Sequence, residues 1–353
     1  MFELPGRYEP DGNVSKGGMS SVIFCNDNIL ERHVAIKLIN HNVDVRRLLD
    51  EINALLKMRS KHVVQIYDVL KDGTRSIAIV QEFVSGPDLV ESYKSPPTLS
   101  EYYNKLWQIS SGISDIHKMD IIHRDIKPNN IKTDKENVIK IFDFGLARNI
   151  GSSASTVGFV GTHGFAAPEL YSSNTEFTKA VDTFAFGVTA FFLAIGDLPS
   201  NLKQTPPNFV TMDSFREIPL SLPNEIANIL DKCLSINPSE RPQMSNIRDI
   251  LSKHIMFDRH EALVIHNNRP SKLNSTNRSV RLQIPNVGKI EISYDGLEFK
   301  VITVSGEVAI NNNSVSNGDK LPGSCVISIG DGSRRSSNRA FVTFDLSNPE
   351  TVL

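Results

Sequence analysis

The stretch IIHRDIKPNNIK, residues 121–132, sets a His-Arg-Asp run directly before a Lys-Pro-Asn-Asn turn, between two apolar flanks. Pro128 fixes its own φ and lacks an N–H, so neither a helix nor a central strand can run through it. The chain has to turn here, and the turn gathers an acid (Asp125), an amine (Lys127) and an amide (Asn130) within six residues. Eighteen residues beyond Asp125, after the apolar VIKIF, a second acid stands as Asp143 in DFG. A surface loop would explain either feature alone. Together they supply what phosphoryl transfer demands: an acceptor for a hydroxyl proton, a cation beside the phosphate, and oxygen ligands for a divalent metal. Asp125 fits the base, Lys127 the phosphate-side amine, and Asn130 and Asp143 the metal ligands.

Three further stretches extend the pattern. VSKGGMSSV, residues 14–22, carries Gly17 and Gly18 between strand-like segments, where a backbone without Cβ can fold closely over phosphates. In VAIK, Lys37 sits in a strand with apolar alternate residues and needs a counter-charge, for which Glu51 in the next amphipathic segment is the candidate. AAPEL and NPSERPQ supply Glu169 and Arg241, candidates for a buried ion pair that fixes a helical lobe. Asp182, within the apolar AVDTFAFGVTAFFLAIG, needs a partner too. Singly, each has an ordinary explanation: the glycine pair is a turn, and Lys37 and Glu51 are solvated charges. The five in this order are hard to explain otherwise.

A chain of 353 residues is expected to form two or three compact units. SVIFCND, HVAIKLIN and SIAIVQEFV have the β-branched content of paired strands. Between them Val45, Leu48, Leu49, Ile52, Leu55 and Leu56 recur at helical spacing. From residue 98 the pattern turns helical, with Thr98 or Ser100 as N-cap and further helices over 179–195, 223–235 and 243–255. After 257 it stops. HNNRPSKLNSTNRSVR is polar and contains a proline, so 258–279 is expected to be a linker. Residues 280–353 should form a small β-sandwich: KIEISYDGLEFKVITV alternates around an Asp295-Gly296 turn, and EVAI, CVISIG and RAFVTFDL add strands. Arg334, Arg335 and Arg339 share one loop, either a solvated turn or an anion contact.

A net charge of −2 gives no chain-wide attraction for nucleic acid or an anionic membrane. Cys25, Cys233 and Cys325 have no paired spacing, neither a disulfide framework nor a zinc site, which suits a reducing compartment. The N-terminal residues lack an apolar signal core, and the most apolar segment is shorter than the roughly 20 residues of a membrane span. A cytoplasmic protein is the expectation.

Residues 8–257 resemble the eukaryotic-like (Hanks-type) protein Ser/Thr kinases, bacterial branch. The likeness rests on YEPDGNVSKGGMSSV, HVAIKLI, Glu51, VQEFVSG, HRDIKPNNI, DFG, GTHGFAAPE, VDTFAFG and the Arg241-Pro242 pair. It implies an α+β, two-lobed kinase fold, with a β-rich N-lobe over 8–84 and a helical C-lobe over 85–257. It also implies ATP and Mg²⁺ (Mn²⁺ as alternative) and protein Ser/Thr substrates. Lys37, oriented by Glu51, would then hold the α- and β-phosphates. Gln81 would be the gatekeeper, the backbone of Glu82 and Val84 would bind adenine, and Val22 and Ala35 would roof the base. Of the motif's three loop glycines only Gly17 is matched, with Ser15 and Ser20 at the other two positions and Gly18 partly restoring flexibility. Lys127 and Thr162 match the Ser/Thr rather than the tyrosine pattern, and Phe165 stands where tyrosine is commoner. Arg124 before the base is the arrangement that would pair with an activation-loop phosphate, for which Ser152, Ser153, Ser155 and Thr156 are the candidate acceptors. Residues 280–353 are similar to forkhead-associated and to immunoglobulin-like sandwiches alike, and would recruit a phosphoprotein or other partner. The competing functions are a pseudokinase scaffold acting through this β module and a small-molecule phosphotransferase. Intact Lys37, Asp125, Asn130 and Asp143 oppose the first; the DFG and APE motifs oppose the second.

Overall fold

Alternating β-branched residues in the N-terminal segment pair into a five-stranded antiparallel sheet. Its strands are β1 (Tyr8–Lys16), β2 (Ser21–Asp27), β3 (Arg32–Ile39), β4 (Ile66–Lys71) and β5 (Ile77–Glu82), in the order β1-β2-β3-β5-β4. The computed structural model describes residues 2–16, 21–39, 52, 55–71, 77–144, 162–172, 177–207, 214–266, 269–335 and 338–347. Successive side chains of a strand point to opposite faces. Val34 and Ile36 of β3 accordingly pack with Tyr8, Cys25, Ala78 and Val80 in one core, while Ala35 and Lys37 belong to the other face. Ile52 and 55–57, the described part of the expected helix, are helical, with Ile52 and Leu55 buried.

The turn from β2 to β3 is organised by Asp27, whose side chain has no solvent exposure. Its carboxylate accepts two hydrogen bonds from Arg7, at 2.6 and 2.7 Å, and bonds from the Ile29 and Leu30 amides. The Arg7 contact is the main reason its pKa falls to about 2; burial opposes this and the two amides assist. A carboxyl depressed on folding stabilises the protein above its ordinary pKa, and that contribution is lost as pH falls toward the folded value. Asp27→Asn is therefore expected to lower the Tm near neutral pH, and the gap from wild type should close as pH drops from about 5 to about 2. Thermal melts across that range test it; a gap independent of pH would exclude the Asp27 carboxylate as its source.

The helical part begins with α1 (Leu99–Lys118). Thr98 is its N-cap: its hydroxyl accepts from the Glu101 amide at 3.3 Å, and the Glu101 carboxylate accepts from the Thr98 amide at 2.8 Å. This reciprocal pair satisfies two end amides. α2 (Ala180–Ile195) is buried on nearly all sides and ends at Gly196, φ 78°. A Cβ at Gly196 would lie 2.2 Å from the Tyr93 ring, so the stop also needs glycine sterically. α3 (Asn224–Cys233) and α4 (Met244–Ile255) follow the expected segments. Between α1 and α2, a hairpin of β6 (Ile131–Thr133) and β7 (Ile139–Ile141) carries the polar loop of residues 121–130 on one side and Asp143 on the other.

The chain divides into two compact units, 1–251 and 252–353. In the second, β8 (Glu261–His266), β9 (Arg269–Leu273), β13 (Val308–Ile310), β14 (Asn313–Ser314), β15 (Cys325–Ile329) and β16 (Ala340–Ser347) form a six-stranded sheet, ordered β14-β13-β15-β16-β8-β9. β10 (Ser279–Ile284), β11 (Gly288–Tyr294) and β12 (Phe299–Gly306) form a three-stranded sheet. Ala262, Val264, Ile327 and Phe344 from the larger sheet share a core with Ile290, Ile292 and Val301 from the smaller. The hairpin at Asp295-Gly296 is present: Tyr294 pairs with Phe299, and the Asp295 carboxylate accepts from the Leu297 and Glu298 amides. The linker expected over 258–279 is not what forms. β8 lies between β16 and β9, and β9, with Pro270, is the sheet edge. An edge strand tolerates proline and many polar side chains, which is why its composition resembles a linker. Arg334 is held by Glu307 at 2.5 and 2.6 Å, and Arg339 lies over the Phe341 ring, so the arginine loop is partly neutralised from within. Among the described residues no helix is long and apolar enough to cross a membrane.

Candidate active site

The loop of residues 121–130 is held from beneath by one acid. Asp182, fully buried in the first turn of α2, accepts hydrogen bonds from the His123 and Arg124 amides, both at 2.8 Å, and from His117 Nε2 at 2.9 Å. Burial pushes its carboxyl up, but the His117 hydrogen bond and neighbouring charges outweigh it, leaving the pKa below the ordinary value. The two amide bonds secure Arg124 at φ 68°, a left-handed conformation that a non-glycine residue adopts only when its surroundings impose it. Asp182 was expected to need a partner; it has found one in the backbone of this loop.

From that anchor the loop turns through one 3₁₀ turn at Pro128–Asn130, with Lys127 extended before it. The turn folds Asn130 back so that its Nδ2 donates to the Asp125 backbone oxygen and to Asp125 Oδ2, each at 2.8 Å. Thr162 Oγ1 donates to Asp125 Oδ1 at 2.8 Å, and Lys127 Nζ donates to Thr162 Oγ1 at 2.8 Å while lying 3.0 Å from Asp125 Oδ2. The result is a ring of acid, amide, amine and hydroxyl around a carboxylate only 4% exposed. All three residues proposed from the loop sequence converge here, with Thr162 as the fourth member.

His123 couples the loop to the second acid. The Asp125 amide donates to its Nδ1 at 3.3 Å, so Nε2 carries the proton and donates to the Phe142 carbonyl at 3.1 Å. Burial pushes the His123 pKa down, favouring that neutral tautomer. Its ring lies 4.9 Å from that of Phe144. Asp143, between the two phenylalanines, sits at φ 60°, and its Oδ1 lies 2.5 Å from Lys37 Nζ. Lys37 is the buried amine expected to need a counter-charge, and Asp143 provides one. Glu51, the expected partner, lies outside the described residues, as do Gly17, Gly18, Ser152, Ser153, Ser155 and Thr156; of Ser15 only the backbone, in β1, is described.

Beside these groups is a cavity of about 320 Å³. Val22, Ala35, Gln81, Glu82 and Val84, the residues that the resemblance assigns to the nucleotide base, line it together with Phe142. β3 and β5 put Ala35 opposite Gln81 and Val34 opposite Glu82. The Glu82 side chain turns to Lys140, 2.8 Å away, and accepts from the Gln65 amide at 3.1 Å, bracing the strand end. Lys132 also lines the cavity, with Nζ 5.8 Å from the Phe142 ring centroid. Lys132 and Lys140 had no signal in the sequence beyond their place next to apolar strand residues.

Asn130 and Asp143 offer one amide and one carboxylate, the hard oxygen donors a magnesium ion accepts when phosphates and water complete its shell. With Nδ2 committed to Asp125, the Asn130 amide keeps its oxygen as acceptor. The donor set fits Mg²⁺. Glu169 and Arg241 form the expected ion pair, two-pronged at 2.6 and 2.9 Å, and Arg241 also donates to the carbonyls of Ala180, Ser235 and Ile236.

A β-sheet lobe and a helical lobe sharing a cleft, with this loop in it, define the protein kinase fold. A model of the protein kinase domain matches residues 8–253. The chain is 30% identical over 274 residues to a probable serine/threonine-protein kinase of Clostridium acetobutylicum, covering 70% of this chain and 40% of that one. It is 31% identical over 253 residues to serine/threonine-protein kinase PrkC of Bacillus subtilis, covering 67% and 39%. With sperm motility kinase 3A of Mus musculus the identity is 25% over 253 residues, covering 70% and 50%. The chain belongs to the protein kinase family, and it spans half or less of the length of these relatives.

Proposed function

We propose that the chain is a protein serine/threonine kinase that moves the γ-phosphoryl of ATP to Ser or Thr hydroxyls of proteins. The observation that carries this is the ring of Asp125, Asn130, Lys127 and Thr162. The Asp125 carboxylate is the proton acceptor, held in one rotamer by two neutral donors and one cation, so an incoming hydroxyl meets a preoriented base. Lys127 places positive charge where the transferring group would pass, and Lys37, reached by Asp143, is placed for the other phosphates. Bound at Asn130 and Asp143, Mg²⁺ would neutralise phosphate charge. Val22 and Ala35 would cover the adenine and the backbone of Glu82 and Val84 would read its edge, with Gln81 behind them.

Regulation through the segment after Asp143 belongs to the same proposal: phosphorylation at Ser152, Ser153, Ser155 or Thr156 would supply an anion for Arg124. The β unit would recruit a phosphoprotein or another partner, and a cytoplasmic location suits the whole. The test is incubation of the purified chain with Mg²⁺, γ-labelled ATP and a generic protein, beside Asp143→Ala. Label on Ser or Thr that vanishes in the variant is expected. Nucleotide binding with no label on any polypeptide would instead support the pseudokinase scaffold.

A further inference from the structure

We propose that a second cavity, of about 700 Å³, is a ligand site for a small amphipathic anion: an apolar body bearing one phosphate or carboxylate head. Among the described residues it shares no lining residue with the nucleotide cleft, and it has about twice that cavity's volume. It falls within the range of small-molecule sites, about 300–1,000 Å³. Its walls come from the C-terminal part of α1, the start of α2 and the start of α4. Ile122, Ala180, Pro242 and Met244 give it apolar surface, and Ser114, Thr183 and Ser245 give hydroxyls. Apolar side chains set beside hydroxyls and, at the rim, ammonium groups suit a compact organic ligand with one charged end rather than a bare ion.

The charge at the rim selects the head group. Lys118 and Lys179 both line the cavity, with side chains 61% and 44% exposed. Their present partners, Asp115 and Asp120, form ion pairs at the surface. Such pairs contribute little, so an anion could capture either ammonium at small cost. Asp120, the lining carboxylate, is 90% exposed, so it stays hydrated when Lys179 turns to a ligand.

The site has a route to the catalytic loop. His117 lines the cavity and hydrogen-bonds Asp182, whose carboxylate holds the His123 and Arg124 amides. A ligand bearing on His117 would shift the acceptor that sets the backbone before Asp125. This consequence rests on the kinase reading; occupancy of the cavity does not.

The test is calorimetric titration of the full chain with octyl phosphate and with decanoate, each below its micellar concentration, and with octanol as the neutral control. One-to-one binding is expected, unchanged by saturating Mg·ATP and at least tenfold tighter for an anion than for octanol; the tighter anion identifies the head group. Ser245→Trp, which fills the cavity from its rim, and the charge reversal Lys118→Glu with Lys179→Glu should each weaken it tenfold or more, with melting temperatures confirming that both variants fold. Absence of saturable binding, displacement by ATP, equal binding of octanol, or full affinity in either variant overturns the proposal. No arm depends on phosphoryl transfer, so an inactive chain would refute the kinase reading and leave this one standing.

Discussion

Asp125→Asn is expected to slow phosphoryl transfer about 10²–10⁴-fold, the usual loss when a positioned base is removed, while nucleotide binding is kept. Asparagine has the shape of aspartate and can still accept from Asn130 Nδ2 and stay beside Thr162, so the ring of contacts around position 125 is not dismantled. What disappears is the charge proposed to take the proton, which Lys127 faces at 3.0 Å. Because that charge matters only as the hydroxyl loses its proton, kcat and kcat/KM should fall together. Initial rates against ATP and against protein substrate separate the effects. A fall confined to KM would make Asp125 a binding group, and a rate within tenfold of wild type would remove it as the base.

The candidate base is legible in the sequence because the pattern is local: Asp125, Lys127 and Asn130 stand within six residues, and Pro128 opens the turn that brings them together. The N-terminal strands and the four long helices were legible for a similar reason, since periodicity and caps such as Thr98 are properties of contiguous residues. The anchoring of the loop was not. Asp182 bonds to the amides of His123 and Arg124, and an amide N–H has no residue type by which a sequence could announce it. The sequence showed a buried acid in need of a partner and gave no means of choosing one. Lys37 illustrates the same limit with side chains, since it bonds Asp143, 106 residues away, and spacing along the chain does not single out that acid. In the β unit, β9 has the composition of a linker because an edge strand gets its order from the neighbour it pairs with, here β8, and only weakly from its own apolar content.

Arg241→Ala is expected to cost the kinase unit about 3–5 kcal/mol, the penalty for removing one member of a buried ion pair. The Arg241 side chain has no exposure and Glu169 only 11%, so truncation leaves a carboxylate in the interior without a counter-charge. It also deprives the Ala180, Ser235 and Ile236 carbonyls of a shared donor. At about 2–4 °C per kcal/mol for a unit of this size, the Tm should fall by about 6–20 °C. Glu169→Gln should cost less, because a neutral amide oxygen still accepts from the guanidinium. The double change Arg241→Met with Glu169→Leu separates charge from packing: apolar replacement of a whole buried pair is often neutral, whereas breaking one side is not. Recovery of most of the lost stability in the double variant is therefore expected, as a coupling between the two sites in a mutant cycle. Activity need not recover with it. Arg241 Nη1 bonds the Ala180 carbonyl at 3.0 Å, and Ala180 opens the helix that carries Asp182. The pair thus ties the Ala-Pro-Glu turn to the helix that holds the catalytic loop. A double variant as stable as wild type but slower would assign the pair to placing that helix; one both stable and fully active would reduce it to a replaceable part of the core.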